Sequence, residues 1–196
     1  MRRPLLTVLL LSLAVPAGAQ QQSESYKFLQ AVRDAKGNDV IAMMDRPGST
    51  LVNTRDVANG ETALHIVVKR GDTPYVNYLL GKGADANARD ARGNTPMLLA
   101  VNAGQGDLIA ILARARANPN LGNSAGETPL IRAVQRRDLG MVRELLAVNA
   151  DPDQPDVVAG KSARDYATED ARNVTVAKLI AETPKRVRRA VSGPRL

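Results

Sequence analysis

The stretch Gly60-Glu-Thr-Ala-Leu-His65 determines the fold of this chain, because it returns three more times at a nearly constant interval. The later copies begin at Gly93, Gly126 and Gly160, so the intervals are 33, 33 and 34 residues. A fixed period of this length is typical of stacked units, each of which buries its apolar face against its neighbours rather than in a closed core. The period therefore predicts a solenoid.

Each unit carries residues that start and end two short helices. A hydroxyl side chain stands two positions after each anchor glycine, where it can accept a hydrogen bond from the first N–H groups of a helix. These residues are Thr62, Thr95, Thr128 and Ser162. Pro96 and Pro129 follow directly, at the first helical position, where a missing N–H costs nothing. Gly71 and Gly104 allow the left-handed conformation that ends the first helix.

The second helix of the unit that begins at Gly60 is expected to start at Thr73-Pro74, with Thr73 as its cap. Apolar residues at helical spacing give this helix one buried face. Tyr75 and Tyr78 fall on that face. Core packing of the two rings is therefore favoured over a role as exposed interface anchors.

Three joints lack the glycine that the pattern predicts. Arg116 and Asn149 stand at the ends of second helices, and Arg137 stands between the two helices of its unit. Asparagine tolerates the left-handed conformation better than arginine does. We therefore expect strain or a small rearrangement at these joints.

These phrases resemble the ankyrin repeat. The best unit runs from Gly60 to Gly71 and continues as Tyr78-Leu-Leu80 and Gly83-Ala-Asp-Ala-Asn87, as in the family's pattern. The resemblance covers about residues 23–181 and implies an all-α, ankyrin-type solenoid of helix-turn-helix repeats joined by β-turn or hairpin loops. It also implies that His65 ties the loop of its own unit to the next.

The first nineteen residues have the three parts of a secretory signal. Arg2 and Arg3 are followed by an apolar stretch from Leu5 to Val15 and by the small residues Ala17-Gly18-Ala19. The apolar stretch is shorter than the roughly 20 residues that a membrane span needs, which disfavours a retained anchor. The chain contains no cysteine, so no disulfide braces it after export. We expect an exported protein, located in a bacterial periplasm.

The domain organisation follows from the signal, the repeat period and the composition of the ends. The C-terminal unit is expected to be a cap, because Arg164 and Asp165 stand where apolar residues would face a further unit. The expected segments are a signal peptide at 1–19, a short linker at 20–25, an N-terminal cap repeat at 26–58, ankyrin repeats at 59–91, 92–124 and 125–158, a C-terminal cap repeat at 159–181, and a basic disordered tail at 182–196.

The net charge of +7 is concentrated at the two ends of the chain. Without Arg2, Arg3 and the tail from Glu182 onward, 20 basic and 19 acidic residues remain. A nearly neutral body lacks the basic stripe that phosphate neutralisation needs, which argues against nucleic acid as a partner. The tail is expected to be solubilising, with weak contact to anionic lipid head groups as the sharper alternative.

The residues that catalysis and cofactor binding use are scarce. One histidine and no cysteine leave no confident nucleophile–base pair and no transition-metal cluster. The carboxylates of Asp151, Asp153 and Asp156 share one loop, but the prolines there favour a solvated turn over a calcium site. We expect no metal, no cofactor and no enzyme activity.

Binding of another protein remains, on the concave face of the stack. The family's variable positions, transferred to this chain, are Asn59, Glu61, Lys69, Arg70, Arg89, Arg92, Asn94, Asn102, Ser124, Glu127, Gln135 and Arg136. Five of these twelve residues are basic, which favours an acidic partner surface; the alternative is a polar face that only keeps the chain soluble. We expect a monomer that serves as a scaffold or chaperone-like partner of an exported protein. The alternative role is that of an immunity protein against a periplasmic toxin, and an enzyme is a distant third.

Overall fold

The computed structural model describes residues 17–184, which form five antiparallel helix pairs. The helices are α1 Ala17–Arg33, α2 Gly37–Met44, α3 Ala63–Arg70, α4 Thr73–Gly81, α5 Pro96–Ala103, α6 Asp107–Arg114, α7 Pro129–Gln135, α8 Leu139–Ala147, α9 Ala163–Glu169 and α10 Val174–Glu182, with a 3₁₀ turn at Leu51–Asn53. The first helices of successive pairs pack against each other in one row, and each second helix packs on its own partner. The prediction of an all-α solenoid is confirmed.

The core is a single apolar band that runs the length of the stack. It extends from Phe28 in the first pair through Leu64, Met97 and Ile131 to Ile180 in the last, and each of these side chains is fully buried. Because each unit contributes to this band only between its neighbours, stability is distributed along the chain. Within residues 17–184, no helix is both long and apolar enough to cross a membrane.

The predicted caps of the first helices are confirmed. The hydroxyls of Thr95 and Thr128 each accept the main-chain N–H three residues on, at 3.2 Å. The second helix α4 is not capped by Thr73 as predicted, because the Asp72 carboxylate occupies the cap position, 3.2 Å from its N–H donor. Asp138 caps α8 in the same way, at 2.9 Å. Thr73 lies inside the first turn. An aspartate serves well here because its negative charge faces the positive end of the helix dipole.

The joints without glycine adopt the left-handed conformation. Arg116 has φ 64°, Arg137 has φ 58° and Asn149 has φ 67°, close to the 73° of Gly71 and Gly104. The packing of the units therefore imposes this conformation on residues that do not favour it. The expected strain is present at these joints, and the path of the chain is retained.

The N-terminal helix is longer than the sequence predicts. Residues 20–25, expected to be a linker, are part of α1, so that prediction is wrong. The segment contains glutamine, glutamate and serine but neither glycine nor proline, so nothing in it stops a helix that packing already holds at Phe28. The apolar part of the predicted signal peptide and the basic residues of the predicted tail lie in 1–16 and 185–196, outside the described residues.

Tyr75 and Tyr78 pack against the apolar band, as predicted. Their rings meet edge to face with centroids 6.2 Å apart. Burial raises the pKa of the Tyr75 hydroxyl. Neither ring is therefore available as an exposed interface anchor.

Candidate protein-binding surface

Four loops precede the first helices α3, α5, α7 and α9 and lie side by side along one edge of the stack. We name them loop 1 (56–61), loop 2 (90–94), loop 3 (123–127) and loop 4 (156–161). Each is closed by a hydrogen bond from the main-chain N–H of its first residue to the carbonyl of its last, at 2.8, 3.0, 3.1 and 3.0 Å. The loops therefore share one hairpin-like shape.

Neighbouring loops are joined through their main chains. The N–H of Ala91 donates to the carbonyl of Asn59 at 2.9 Å, and the N–H of Ser124 donates to the carbonyl of Arg92 at 3.0 Å. The N–H of Val157 donates to the carbonyl of Ala125 at 2.9 Å. These bonds connect the four loops into a continuous row, which we call the loop ribbon.

The first side chain of each loop stiffens its turn. The carboxylates of Asp56, Asp90 and Asp156 and the amide oxygen of Asn123 accept the N–H two residues further on, at 2.7 to 3.0 Å. In loop 1, the hydrogen bond from Arg33 and the N–H of Ala58 lower the pKa of Asp56. In loop 2, burial opposes ionisation of Asp90, but the hydrogen bonds from Asn94 and from the N–H of Arg92, with the influence of His65, together lower its pKa. Charged carboxylates thus hold loops 1 and 2 at neutral pH.

His65 connects two units, as the resemblance implied. Its Nδ1 lies 3.1 Å from the main-chain N and 2.8 Å from the Oγ1 of Thr62, and its Nε2 lies 3.1 Å from the carbonyl of Asn94 in the next unit. Only a neutral ring with its proton on Nε2 accepts from the Thr62 N–H and donates to that carbonyl. Burial lowers the pKa of His65, which favours this neutral form. Both ring nitrogens are occupied, and the side chain is fully buried.

The twelve predicted contact residues differ in how far their side chains are exposed to solvent. Glu61 and Asn94 are buried, so the expectation that they meet a partner is wrong for these two. The Glu61 carboxylate bonds to Lys69 and Asn59, and the Asn94 amide donates to Asp90 at 2.8 Å. Asn102 and Glu127 are half-buried, and the exposed members are Asn59, Lys69, Arg70, Arg89, Arg92, Ser124, Gln135 and Arg136.

The five basic members of this set are not equivalent. Lys69 forms an ion pair with Glu61, and Arg70 forms one with Asp72 at 2.9 Å. By contrast, Arg89, Arg92 and Arg136 form no ion pair with any residue in the described part of the chain. We call these three residues the arginine strip.

The arginine strip lies along the ribbon and the end of α7. The guanidinium of Arg89 lies so close to Gly93 that a side chain at this position would collide with it. Arg136 donates to the main-chain carbonyl of Asn102 at 3.3 Å, which holds it toward the neighbouring unit. The strip therefore presents positive charge that the described residues do not neutralise with carboxylates.

Sequence reasoning missed the apolar tips of the outer loops. Val57 in loop 1 is 86% exposed, and Val157 and Val158 in loop 4 are 74% and 79% exposed. A signal was available, because Asp56–Gly60 and Asp156–Gly160 are each one residue longer than the matching segments of loops 2 and 3. Valine follows the first aspartate in both of these loops, so both ends of the ribbon are apolar.

The acidic loop predicted to be a turn uses its carboxylates for internal bonds. Asp151 accepts the N–H of Asp153 at 2.9 Å, Asp153 pairs with Arg164 at 2.6 Å, and Asp156 accepts the hydroxyl of Tyr166 at 2.6 Å. Across residues 17–184, no group of three or more histidine, cysteine, aspartate or glutamate side chains is placed to hold a metal ion.

Comparison with known proteins agrees with this geometry. A family model described as ankyrin repeats, in three copies, matches residues 27–123. A second model, described as an ankyrin repeat, matches residues 125–157. The search of curated proteins gave no significant match. The two matched segments together run from the C-terminal part of α1 to beyond the end of α8.

Proposed function

This chain belongs to the ankyrin repeat family, a family of protein–protein interaction modules, and we propose that it serves as a non-catalytic scaffold or chaperone-like partner of an exported protein. The partner binds across the loop ribbon and the exposed side of the first helices. The signal-like N-terminus supports export, to the periplasm of a bacterium. The internal use of both nitrogens of His65 supports a non-catalytic role.

The observation that carries the proposal is the arginine strip. Arg89, Arg92 and Arg136 lie on a hydrogen-bonded scaffold, and no carboxylate of the described residues compensates them. Guanidinium groups bind carboxylates through two parallel hydrogen bonds, which favours an acidic partner surface over a merely polar one. Because the ribbon is already ordered, binding does not have to order the loops first.

Charge reversal tests the proposal. The double variant Arg89→Glu/Arg92→Glu should lose capture of the partner when the exported protein is crosslinked in cells and its conjugates are identified by mass spectrometry. The matched control is Arg143→Glu/Lys178→Glu, which makes the same change in net charge at exposed positions of α8 and α10. The control should capture the partner as the natural chain does.

The partner's identity decides the biological role. A housekeeping enzyme or another resident exported protein supports the scaffold or chaperone-like role. A toxin in the crosslinked fraction would replace that role with immunity. Equal capture by the strip variant and the control would mean that the arginine strip is only a solubilising face.

A further inference from the structure

The loop ribbon has an open edge at loop 1. In loops 2, 3 and 4, the second residue, Ala91, Ser124 or Val157, donates its main-chain N–H to the preceding loop. Val57 holds this position in loop 1, and no loop precedes it, because α1 begins the described stack without one. Among residues 17–184, no acceptor pairs with the Val57 N–H. The Val57 N–H therefore lacks the inter-loop hydrogen bond that the equivalent residue makes in each of the other three loops.

A groove lies where the missing loop would sit. It has a volume of about 420 Å³ and runs between α1 and loop 1, lined by Ser25, Tyr26, Leu29, Val57 and Ala58 together with residues 54–56. Tyr26 and Val57 are 65% and 86% exposed, so the apolar walls are open to solvent. Val57, whose N–H has no acceptor among the described residues, is itself one of the residues that line this groove.

The groove is held open before anything binds. Arg33 of α1 forms an ion pair with Asp56, which fixes the base of loop 1 to the helix. The same carboxylate accepts the N–H of Ala58 at 2.7 Å and so fixes the turn. The main-chain donor of Val57 is thus presented on a fixed loop.

We propose that this groove binds an extended segment of a partner protein by adding it to the edge of the loop ribbon. A main-chain carbonyl of the segment accepts the Val57 N–H, as Asn59 accepts that of Ala91. An apolar side chain of the segment lies between Tyr26 and Val57. Addition of a strand to an open edge takes its affinity from main-chain hydrogen bonds and its selectivity from side-chain pockets.

A second copy of the chain cannot continue the loop ribbon at loop 1 with the spacing that the repeats have within one chain. If loop 4 of another copy lay beside loop 1, its helices α9 and α10 would need the space next to α3 and α4. That space is already occupied, because α1 packs on α3 and Gly37, at the start of α2, lies against Tyr75 of α4. Only a segment without an attached helix pair can enter, so the occupant is an extended segment.

The test uses a phage-displayed library of random linear peptides, selected on the full chain. We expect enrichment of peptides with branched apolar or aromatic residues, and about tenfold weaker binding to the Tyr26→Ser variant. The control Val174→Ser, which removes another exposed apolar side chain on α10, should bind them unchanged. In the natural chain, an enriched peptide should slow the solvent exchange of the Val57 amide, followed by NMR.

The remaining outcomes overturn the proposal. If no peptide is enriched, or if Tyr26→Ser binds the enriched peptides as the natural chain does, the groove is not a peptide site. If the Val57 amide is already protected without peptide, residues 1–16 or a second copy fill the groove. The Arg89→Glu/Arg92→Glu variant should still bind the peptides, so this site and the arginine strip succeed or fail separately.

Discussion

Asn87 reaches from its own unit into the next and donates its side-chain N–H to the main-chain carbonyl of Arg116 at 3.0 Å. Its Oδ1 also accepts the N–H of Asn118, at 2.7 Å. Two further asparagines repeat the arrangement: Asn53 bonds residues 83 and 85, and Asn120 bonds residues 149 and 151. This asparagine ladder links successive units at the ends of the second helices, where the chain turns through its left-handed residues.

Truncation of the ladder should destabilise the stack. Asn87→Ala removes two inter-unit hydrogen bonds and leaves main-chain groups of Arg116 and Asn118 without their partner, so we expect a loss of about 1–3 kcal/mol in unfolding free energy. Urea denaturation followed by circular dichroism measures this loss of unfolding free energy. Asn77→Ala is the control, because Asn77 is exposed and bonds only within its own helix; its loss should stay within about 0.5 kcal/mol. Equal losses would mean that the ladder adds nothing.

Glycine should relieve the strained joint at Arg116. A left-handed conformation costs a residue with a side chain about 1–2 kcal/mol, and replacement by glycine removes this cost. Glycine gives back about 0.5–1 kcal/mol of the stability gained, because it has greater conformational freedom in the unfolded chain. We expect Arg116→Gly to raise the unfolding free energy by up to about 1 kcal/mol.

Asn149→Gly provides the comparison, since asparagine already tolerates this conformation. Its gain in thermal or urea stability should be smaller than that of Arg116→Gly. A gain at position 149 that matches or exceeds the gain at position 116 would show that left-handed strain does not explain the difference.

Stability should decrease between neutral and mildly acidic pH because of His65. Its folded pKa is lowered by burial from an ordinary value of 6.5, so below that value the unfolded chain binds more protons than the folded one. The stability that the neutral His65 ring contributes is complete above pH 6.5 and is lost as the pH falls toward the folded pKa of His65. The charges of Asp90 and Glu61 raise the pKa of His65 and that of Arg55 lowers it, but the largest effect on this pKa is desolvation by burial, which lowers it.

The urea midpoint at about pH 7.5 should therefore exceed that at about pH 5.5. His65 is the single histidine of the chain, and carboxylates with lowered pKa values contribute only near and below their ordinary 3.8. His65→Asn should be less stable at both pH values but should lose most of the difference between them. A difference of equal size in the variant would assign the effect to other groups.

The repeat phrase predicted which elements form, but it did not predict how deep their side chains lie. Thr95, Thr128 and the prolines after them mark helix starts, and local chemistry was sufficient to place them. Glu61 and Asn94 occupy the variable position just before Thr62 and Thr95, and their side chains bond to Lys69 and Asp90. A single sequence shows the position of such residues but not these pairings.

The open edge of the loop ribbon at loop 1 could not be predicted either, because it depends on the lack of a preceding loop in the described stack. Within residues 17–184, no loop precedes α1 to accept the Val57 N–H, and no residue near Val57 signals this. The cap of α4 was missed for a different reason. Pro74 fits the first helical position after a Thr73 cap, but Asp72, one residue earlier, is the better acceptor.

The C-terminal unit should depend on Arg164, which does more than offer a polar outer face. Its guanidinium bonds the carboxylate of Asp153 at 2.6 Å and the carbonyls of Ile180 and Thr183 at 2.5 and 3.1 Å. Arg164 thus joins Asp153, which holds the next position in the series of the asparagine ladder, to the C-terminal end of α10. Arg164→Ala removes all of these bonds and should lower the free energy of opening α10 by about 1–3 kcal/mol.

Hydrogen exchange followed by mass spectrometry can locate this effect. Faster exchange should be confined to α9 and α10, because in a linear stack each unit contacts only its neighbours. Arg172→Ala, an exposed arginine of the same unit, should leave the exchange unchanged, and Arg164→Lys should restore only part of the protection because lysine lacks the planar fork. Faster exchange throughout α3 to α8 would instead show that the stack unfolds as one cooperative body and that Arg164 supports all of it.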